Sequence, residues 1–217
     1  LQFLYFIVLV PPPLVEKMKI LCQESSYPDL TYVPAGYHAD ITIEVVRRKV
    51  TVKYEGRTLE KDFGHAQLLL EHDKTKRCIR AKVVNGTRKA GCVIGTVLSH
   101  ISNMVEGILY GYKYTMRYAY SHFPIGLDTT KTPTDRLTIS NFLGQRRTRK
   151  VRMLDGVTIR ATGGKDELEI VGYDVQKVTQ SAANLHNATL VRHKDIRKFL
   201  DGSYITKRET ITVPKEE

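Results

Sequence analysis

The sequence predicts an α+β protein made of two duplicated small modules, each an antiparallel β-sheet packed against a helix. Three observations predict it. Short runs alternate apolar and polar residues, the period of half-buried strands. A longer stretch follows each set of runs, with apolar residues at three- and four-residue steps, the period of a helix on a core. The whole order then occurs a second time, with turn glycines Gly56 and Gly144 at matching places. A chain of 217 residues, 41% hydrophobic and 26% charged, can bury one generous core or two small ones, which excludes a wholly disordered protein.

The opening Leu1 to Val10 is almost uninterrupted apolar sequence and stops at Pro11-Pro12-Pro13, whereas a membrane span needs about 20 residues. No basic start or small-residue cleavage site precedes Lys17, so the segment does not read as a secretory signal. Met18 is the first methionine; residues 1–17 are read as an upstream extension outside the core, the alternative being an apolar strand packed on the body. The first module is 18–110. Within it Ile41, Ile43 and Val45 alternate with Thr42 and Glu44, and Val50, Val52 and Tyr54 with Thr51 and Lys53. Gly56 turns the chain into Arg57 to Phe63, and Arg77 to Val84 supplies another strand. The period then changes: Val93, Ile94, Val97, Leu98, Ile101, Met104, Val105, Ile108 and Leu109 mark one long helix, with Thr87 as candidate cap and Gly111 as its stop.

The second module is 111–206, and 207–217 is a tail. It begins with a long strand in which Tyr112, Tyr114, Met116, Tyr118 and Tyr120 alternate with Lys113, Thr115, Arg117 and Ala119. Leu137 to Phe142 alternates, Gly144 turns, Thr148 to Met153 returns, and Glu167 to Val171 is apolar at every second residue. Asp174 then caps a helix with Val175, Val178, Ala182 and Leu185 on one face. From Lys194 to Gly202, Ile196, Phe199 and Leu200 stand at helical steps, which predicts a short helix burying those three and turning Lys194, Arg197 and Lys198 outward.

Thirty-four Lys and Arg against 23 Asp and Glu give a net charge of +11 and point to polyanionic partners, nucleic acid first. The excess is shared between the halves, with 17 basic and 11 acidic residues to position 120 and 17 and 12 after it, so only clustering chooses a surface. Arg146, Arg147, Arg149, Lys150 and Arg152 crowd together without a carboxylate, and Arg192, Lys194, Arg197 and Lys198 follow the second helix. Such clusters neutralise phosphates, although a solvated face is the usual meaning of a charge run. Gln176, Gln180, Asn184 and Asn187 form a carboxamide stripe that can read ribose hydroxyls and base edges, and an uncharged solvated face explains it equally well.

Signals for chemistry are missing. Cys22, Cys78 and Cys92 are odd in number and form no C-x-x-C pair, which argues against a disulfide scaffold or thiolate zinc site and suits a reducing compartment. The sequons at Asn85 and Asn187 are then read as chance. The histidines show no metal-ligand spacing, Gly163-Gly164-Lys165 suits a hairpin turn better than a phosphate loop, and no Gly-x-Ser-x-Gly elbow occurs. An enzyme has no residues to rest on, and no metal or cofactor is expected.

Several long motifs, in order, carry a resemblance: Ser99 to Gly107, Gly111 to Arg117, His122 to Ile125, Asn141 to Gly144, Val151 to Met153, Gly172 to Ala183 and Lys194 to Gly202. They resemble the universal large-subunit ribosomal protein L-six family, whose eukaryotic cytosolic members are called L-nine, from about Met18 to Lys207. The last motif looks eukaryotic or archaeal. The resemblance implies a structural constituent of the large ribosomal subunit, cytoplasmic and assembled in the nucleolus if eukaryotic. It also implies that the second module is the main rRNA-binding domain, docked near the sarcin-ricin loop. The first module would face the stalk base, with neighbouring ribosomal proteins and the arriving translational GTPases as partners and no membrane. Site residues expected to bind rRNA are the two basic clusters with Gln176, Lys177 and Gln180. An RNA-binding adaptor outside the ribosome is the alternative. Two positions depart from relatives: Asn187 shortens an amide, and Ser203, where an aliphatic residue is usual, is expected to loosen packing under the last strand.

Overall fold

The computed structural model describes residues 31–32, 41–73, 78–83, 88–128, 136–162, 164 and 166–212. The expectations for residues 1–17, Met18, the Thr87 cap, the Asn85 sequon and the turn at Gly163 and Lys165 lie outside the described residues. The chain divides into two compact units, 1–102 and 103–217, and the boundary falls inside the long helix α1, Arg88–Tyr110.

Before α1 come strands β1 (Thr31–Tyr32), β2 (Thr42–Val46), β3 (Lys49–Tyr54), β4 (Arg57–Asp62), β5 (Leu69–Asp73) and β6 (Cys78–Lys82). After it come β7 (Tyr112–Ala119), β8 (Gly126–Asp128), β9 (Arg136–Ser140), β10 (Arg149–Arg152), β11 (Val157–Ala161) and β12 (Glu167–Gly172), then helix α2 (Val175–Ala188) and β13 (Gly202–Thr210). The sheets run β2-β3-β4 and β1-β6-β5 in the first unit, and β8-β9-β10 and β13-β7-β12-β11 in the second. Adding six to each strand number of the first unit reproduces the second unit's orders, so the repeat legible in the sequence exists as a repeat of topology. Every strand pair is antiparallel, and β13 extends the larger sheet by pairing along β7.

In the first unit the alternation of β3 buries Val50 and Val52 completely, and α1 presents Ile94, Val97, Leu98 and Ile101 as a buried stripe. Gly56 sits at φ 75 beside Glu55 at φ 44, two consecutive left-handed residues that suit a tight hairpin between β3 and β4. Within α1, Gly91–Tyr110 has the length and hydropathy of a membrane span, but its apolar residues form the stripe of a core helix, fully buried at Ile101 and Ile108. Gly111 ends the helix at φ 65, a conformation a side chain would strain.

In the second unit α2 closes a core with both sheets. Val178, Ala182 and Leu185, all fully buried, join Met116, Leu168 and Ile170 of one sheet and Leu137 and Ile139 of the other. Asp174 caps α2 as expected, its Oδ1 accepting the Gln176 amide at 2.9 Å. Across the larger sheet, Lys113 stands between Glu209 at 3.0 Å and Glu169 at 3.8 Å, opposite charges on neighbouring strands.

Several expectations need correction. The strand starting at Leu137 stops at Ser140, because Asn141 turns to φ 56 and Phe142–Gly144 form one 3-10 turn. The alternation misses β5 and β11. Leu69 and Leu70 are adjacent rather than alternate, and β11 alternates over only Val157 and Ile159. Most important, 194–202 is not a helix. The amides of Lys198 and Phe199 both donate to the Asp195 carbonyl, the Asp195 side chain takes the Arg197 amide at 3.0 Å, and one turn results. Asp174 starts α2 with the same side-chain bond, but after Asp195 too few residues remain before Gly202 to repay nucleation. Ile196, Phe199 and Leu200 are therefore 69%, 42% and 64% exposed rather than buried.

Ser203 does not loosen the packing under β13. It is fully buried, its hydroxyl lies 2.8 Å from Thr189 Oγ1, and its amide donates to the same oxygen at 3.0 Å. A buried hydroxyl so paired carries no desolvation penalty of the unsatisfied kind.

Gly107 gives the fold a sharp test, since an added Cβ would lie 2.2 Å from the Tyr173 carbonyl oxygen and 2.8 Å from the Tyr112 ring. The obstruction is backbone, so Gly107→Ala is expected to cost at least about 1–3 kcal/mol and to lower the midpoint of thermal unfolding. Gly95→Ala, on the same helix with nothing within 4 Å, is expected to leave that midpoint unchanged or raise it.

Candidate nucleic-acid interface

The first basic cluster starts at a contorted turn. Asn141, Leu143 and Gly144 lie at φ 56, 52 and 70, and Leu143 is a bulky residue in a region bulky residues avoid. Asn141 Nδ2 holds the turn to the Pro124 carbonyl at 2.9 Å, and a Cβ on Gly144 would touch the Phe123 ring at 3.0 Å. The turn sends Phe142 into the core, 1% exposed, and releases Gln145 to Thr148 onto the surface.

The five cations of this cluster then divide by role. Arg149 lies over the Phe142 ring at 4.3 Å, donates to the Ala188 carbonyl at the end of α2, and donates to Gln145 Oε1 at 2.7 Å. Burial, followed by repulsion from Arg147 and Arg192, holds its guanidinium below its ordinary value. It is a clamp between β10, the turn and α2. Arg152 approaches Asp155 at 4.0 Å, a surface pair of small worth. Arg146, Arg147 and Lys150 are exposed and have no carboxylate partner among the described residues.

The second cluster meets the first. Arg147, Arg149, Lys150, Arg192 and His193 line one cleft of about 470 Å³ with Asn187, Ala188 and Leu190 at the end of α2 and Phe142, Leu143, Gln145 and Thr148 opposite. Lys194, Arg197 and Lys198 lie outside the cleft on the turn that leads to β13. Lys194 Nζ is 5.8 Å from the centre of the Phe199 ring, Arg197 Nε is 3.4 Å from Asp195, and all three cations are exposed.

Along α2 the carboxamide stripe stays outside the core. Gln176, Lys177, Gln180 and Asn187 are exposed, Asn184 is half-buried, and Gln180 Nε2 donates to Asn184 Oδ1 at 2.9 Å. Gln176 and Lys177 stand at the helix N-terminus, away from the cleft, and Asn187 at its edge. Sequence reasoning did not single out Leu143, Gln145 or His193 as cleft residues. Their only signal was proximity to basic runs, because the left-handed turn and the φ of 59 at His193 that place them leave no mark in residue type.

At the β2-β3 hairpin of the first unit two of three consecutive cations are held within the unit. Arg48 donates to the Gly64 and Ala66 carbonyls at 2.9 and 3.0 Å, and Lys49 holds Glu60 at 2.5 Å, which raises the Lys49 pKa. Arg47 of that trio has no such partner among the described residues.

The geometry defines an α+β protein of two repeated units, the second of which brings Arg147, Arg149, Lys150 and Arg192 around one cleft. Residues 123–202 match the profile of the family described as Ribosomal protein L6. Over 181 residues the chain is 40% identical to large ribosomal subunit protein uL6 of Candida albicans, covering 82% of this chain and 92% of that one. It is also 40% identical over 182 residues to uL6A of Saccharomyces cerevisiae, covering 83% and 93%. Against uL6 of the archaeon Ignicoccus hospitalis it is 36% identical over 186 residues, covering 84% and 95%. The chain belongs to the ribosomal protein L6 family, and is accordingly a structural protein and not an enzyme.

The clamp and the cleft separate by experiment. Arg149→Ala removes hydrogen bonds from a charged donor and is expected to cost about 1.5–3 kcal/mol, read as a lower midpoint in a urea melt. Arg147→Ala, exposed and unpaired with any carboxylate, is expected to leave the melt within about 0.5 kcal/mol of wild type.

Proposed function

We propose that this protein is a structural constituent of the large ribosomal subunit, supporting translation by binding and bracing rRNA through its second unit. Its relatives bear the name large ribosomal subunit protein. One observation carries the assignment to a surface: Arg147, Lys150 and Arg192, from two separate basic runs, converge on one cleft that no carboxylate lines among the described residues. Three unpaired cations around a concavity can replace the counterions of adjacent phosphates, and Asn187 beside them supplies a group that both donates and accepts. The α2 stripe extends this surface, so that Gln176, Lys177 and Gln180 face the rRNA along with Arg146, Arg152, Lys194, Arg197 and Lys198. In this reading, which the family resemblance supports, the contact lies near the sarcin-ricin loop, with the stalk base, neighbouring ribosomal proteins and translational GTPases around it in the cytoplasmic particle.

Replacing Arg147, Lys150 and Arg192 by Gln is expected to flatten the slope of log affinity against log salt for large-subunit rRNA by roughly 2 to 3 units. Neutralising Arg47, Arg48 and Lys49 is expected to flatten it less, and an equal effect would remove the assignment to the second unit. The wild-type chain is expected to co-sediment with large subunits through a high-salt wash; release at modest salt would instead favour an adaptor acting outside the ribosome.

Gln176→Ala with Gln180→Ala is expected to leave thermal unfolding unchanged, since Ala is the better helix former, while incorporation into subunits falls in competition with wild type. Undiminished incorporation would return the stripe to solvent.

A further inference from the structure

We propose that Tyr204 is a stacking platform for one unpaired nucleobase of RNA, with the His186 ring beside it as an edge contact, next to the cationic cleft. The inference rests on the rRNA-binding reading above and names a second kind of contact within it.

The two rings belong to different elements, His186 to the last turn of α2 and Tyr204 to the start of β13. Their centroids are 5.6 Å apart with planes tilted by 57°. Each ring is held by one backbone hydrogen bond. Tyr204 donates its hydroxyl to the Leu200 carbonyl at 2.9 Å. His186 Nδ1 lies 2.7 Å from the Ser203 carbonyl oxygen, which can only accept, so Nδ1 carries the hydrogen and Nε2 is the ring's open nitrogen. Below them the Ser203 and Thr189 hydroxyls are paired at 2.8 Å, which fixes the backbone supplying the His186 partner.

An aromatic ring so fastened and still 42% exposed at Tyr204 is unusual for core packing. A ring whose rotamer is already fixed loses little entropy when a flat partner stacks on it. Charge decides what that partner is. The turn adjoining Leu200 carries Lys194, Arg197 and Lys198, all exposed, against Asp195, whose carboxylate is occupied by the Arg197 amide and guanidinium. The exposed Tyr204 ring, near a segment whose three cations outnumber Asp195 and Asp201, suits a base with its phosphates, and Nε2 of the tilted His186 ring can meet the base edge.

The test uses the full chain and a single-stranded uridine oligonucleotide, with the uridine–adenosine duplex as comparison. Tyr204→Ala is expected to weaken single-strand binding roughly five- to hundredfold while leaving its salt slope unchanged, because no charge is removed. The chain contains no Trp, so Tyr204→Trp introduces the sole indole; the single strand is expected to quench its emission and the duplex is not. If Tyr204→Ala fails to fold, the Trp variant decides alone. Wild-type affinity in Tyr204→Ala, absence of quenching, or equal quenching by the duplex overturns the platform. Should the Arg147, Lys150 and Arg192 variant lose large-subunit rRNA while Tyr204 changes do nothing, only this inference falls. Failure of the wild-type chain to bind that rRNA removes the rRNA reading itself.

Discussion

The end of α2 is the point on which the second unit depends. A helix leaves its last carbonyls without partners, and a buried end must find donors elsewhere. Here the Thr189 hydroxyl turns back toward the Leu185 and His186 carbonyls, at 3.3 and 3.0 Å, and Arg149 reaches across from β10 to the Ala188 carbonyl. The cation also suits the negative end of the helix dipole. Ser203 then binds Thr189 through both its hydroxyl and its amide, which starts β13 at a fixed place against β7. Three elements distant in sequence are tied to one helix terminus.

That junction explains why the basic runs converge. The Arg149 clamp sets the loop from Gln145 to Thr148 against the residues that follow α2, so Arg147 and Lys150 meet Arg192 across a cleft. Repulsion among these cations is a cost that Arg149 registers as a lowered pKa, burial being the larger cause. The aromatic ring of Phe142 beneath it offsets part of that cost. A clamp and exposed cations thus stand side by side in one run, and a count of positive charges does not separate them.

The repeated topology has a related consequence. The same strand orders occur in both units, yet at the β2-β3 hairpin Arg48 and Lys49 are engaged within their own unit, whereas between β9 and β10 Arg147 and Lys150 are unpaired with carboxylates among the described residues. Duplication supplies the scaffold twice, and the placement of carboxylates and carbonyls decides which cations are held within each unit.

The sequence by itself determined the strand and helix periods, the repeat, the Asp174 cap, the Gly111 stop and the family, because each follows from residue types at local spacing. It also marked the cations and carboxamides, since charge is legible without coordinates. It did not reveal that Arg149 is a clamp, that Phe199 is exposed, or that Ser203 is satisfied by Thr189, since those depend on groups brought together from distant positions. The helical spacing of Ile196, Phe199 and Leu200 failed because too few residues lie between Asp195 and Gly202 to repay nucleation and no surface of the unit covered the apolar residues. Tertiary structure alone decided which member of each pair of equal charges is free, because that is a question of neighbours and not of composition.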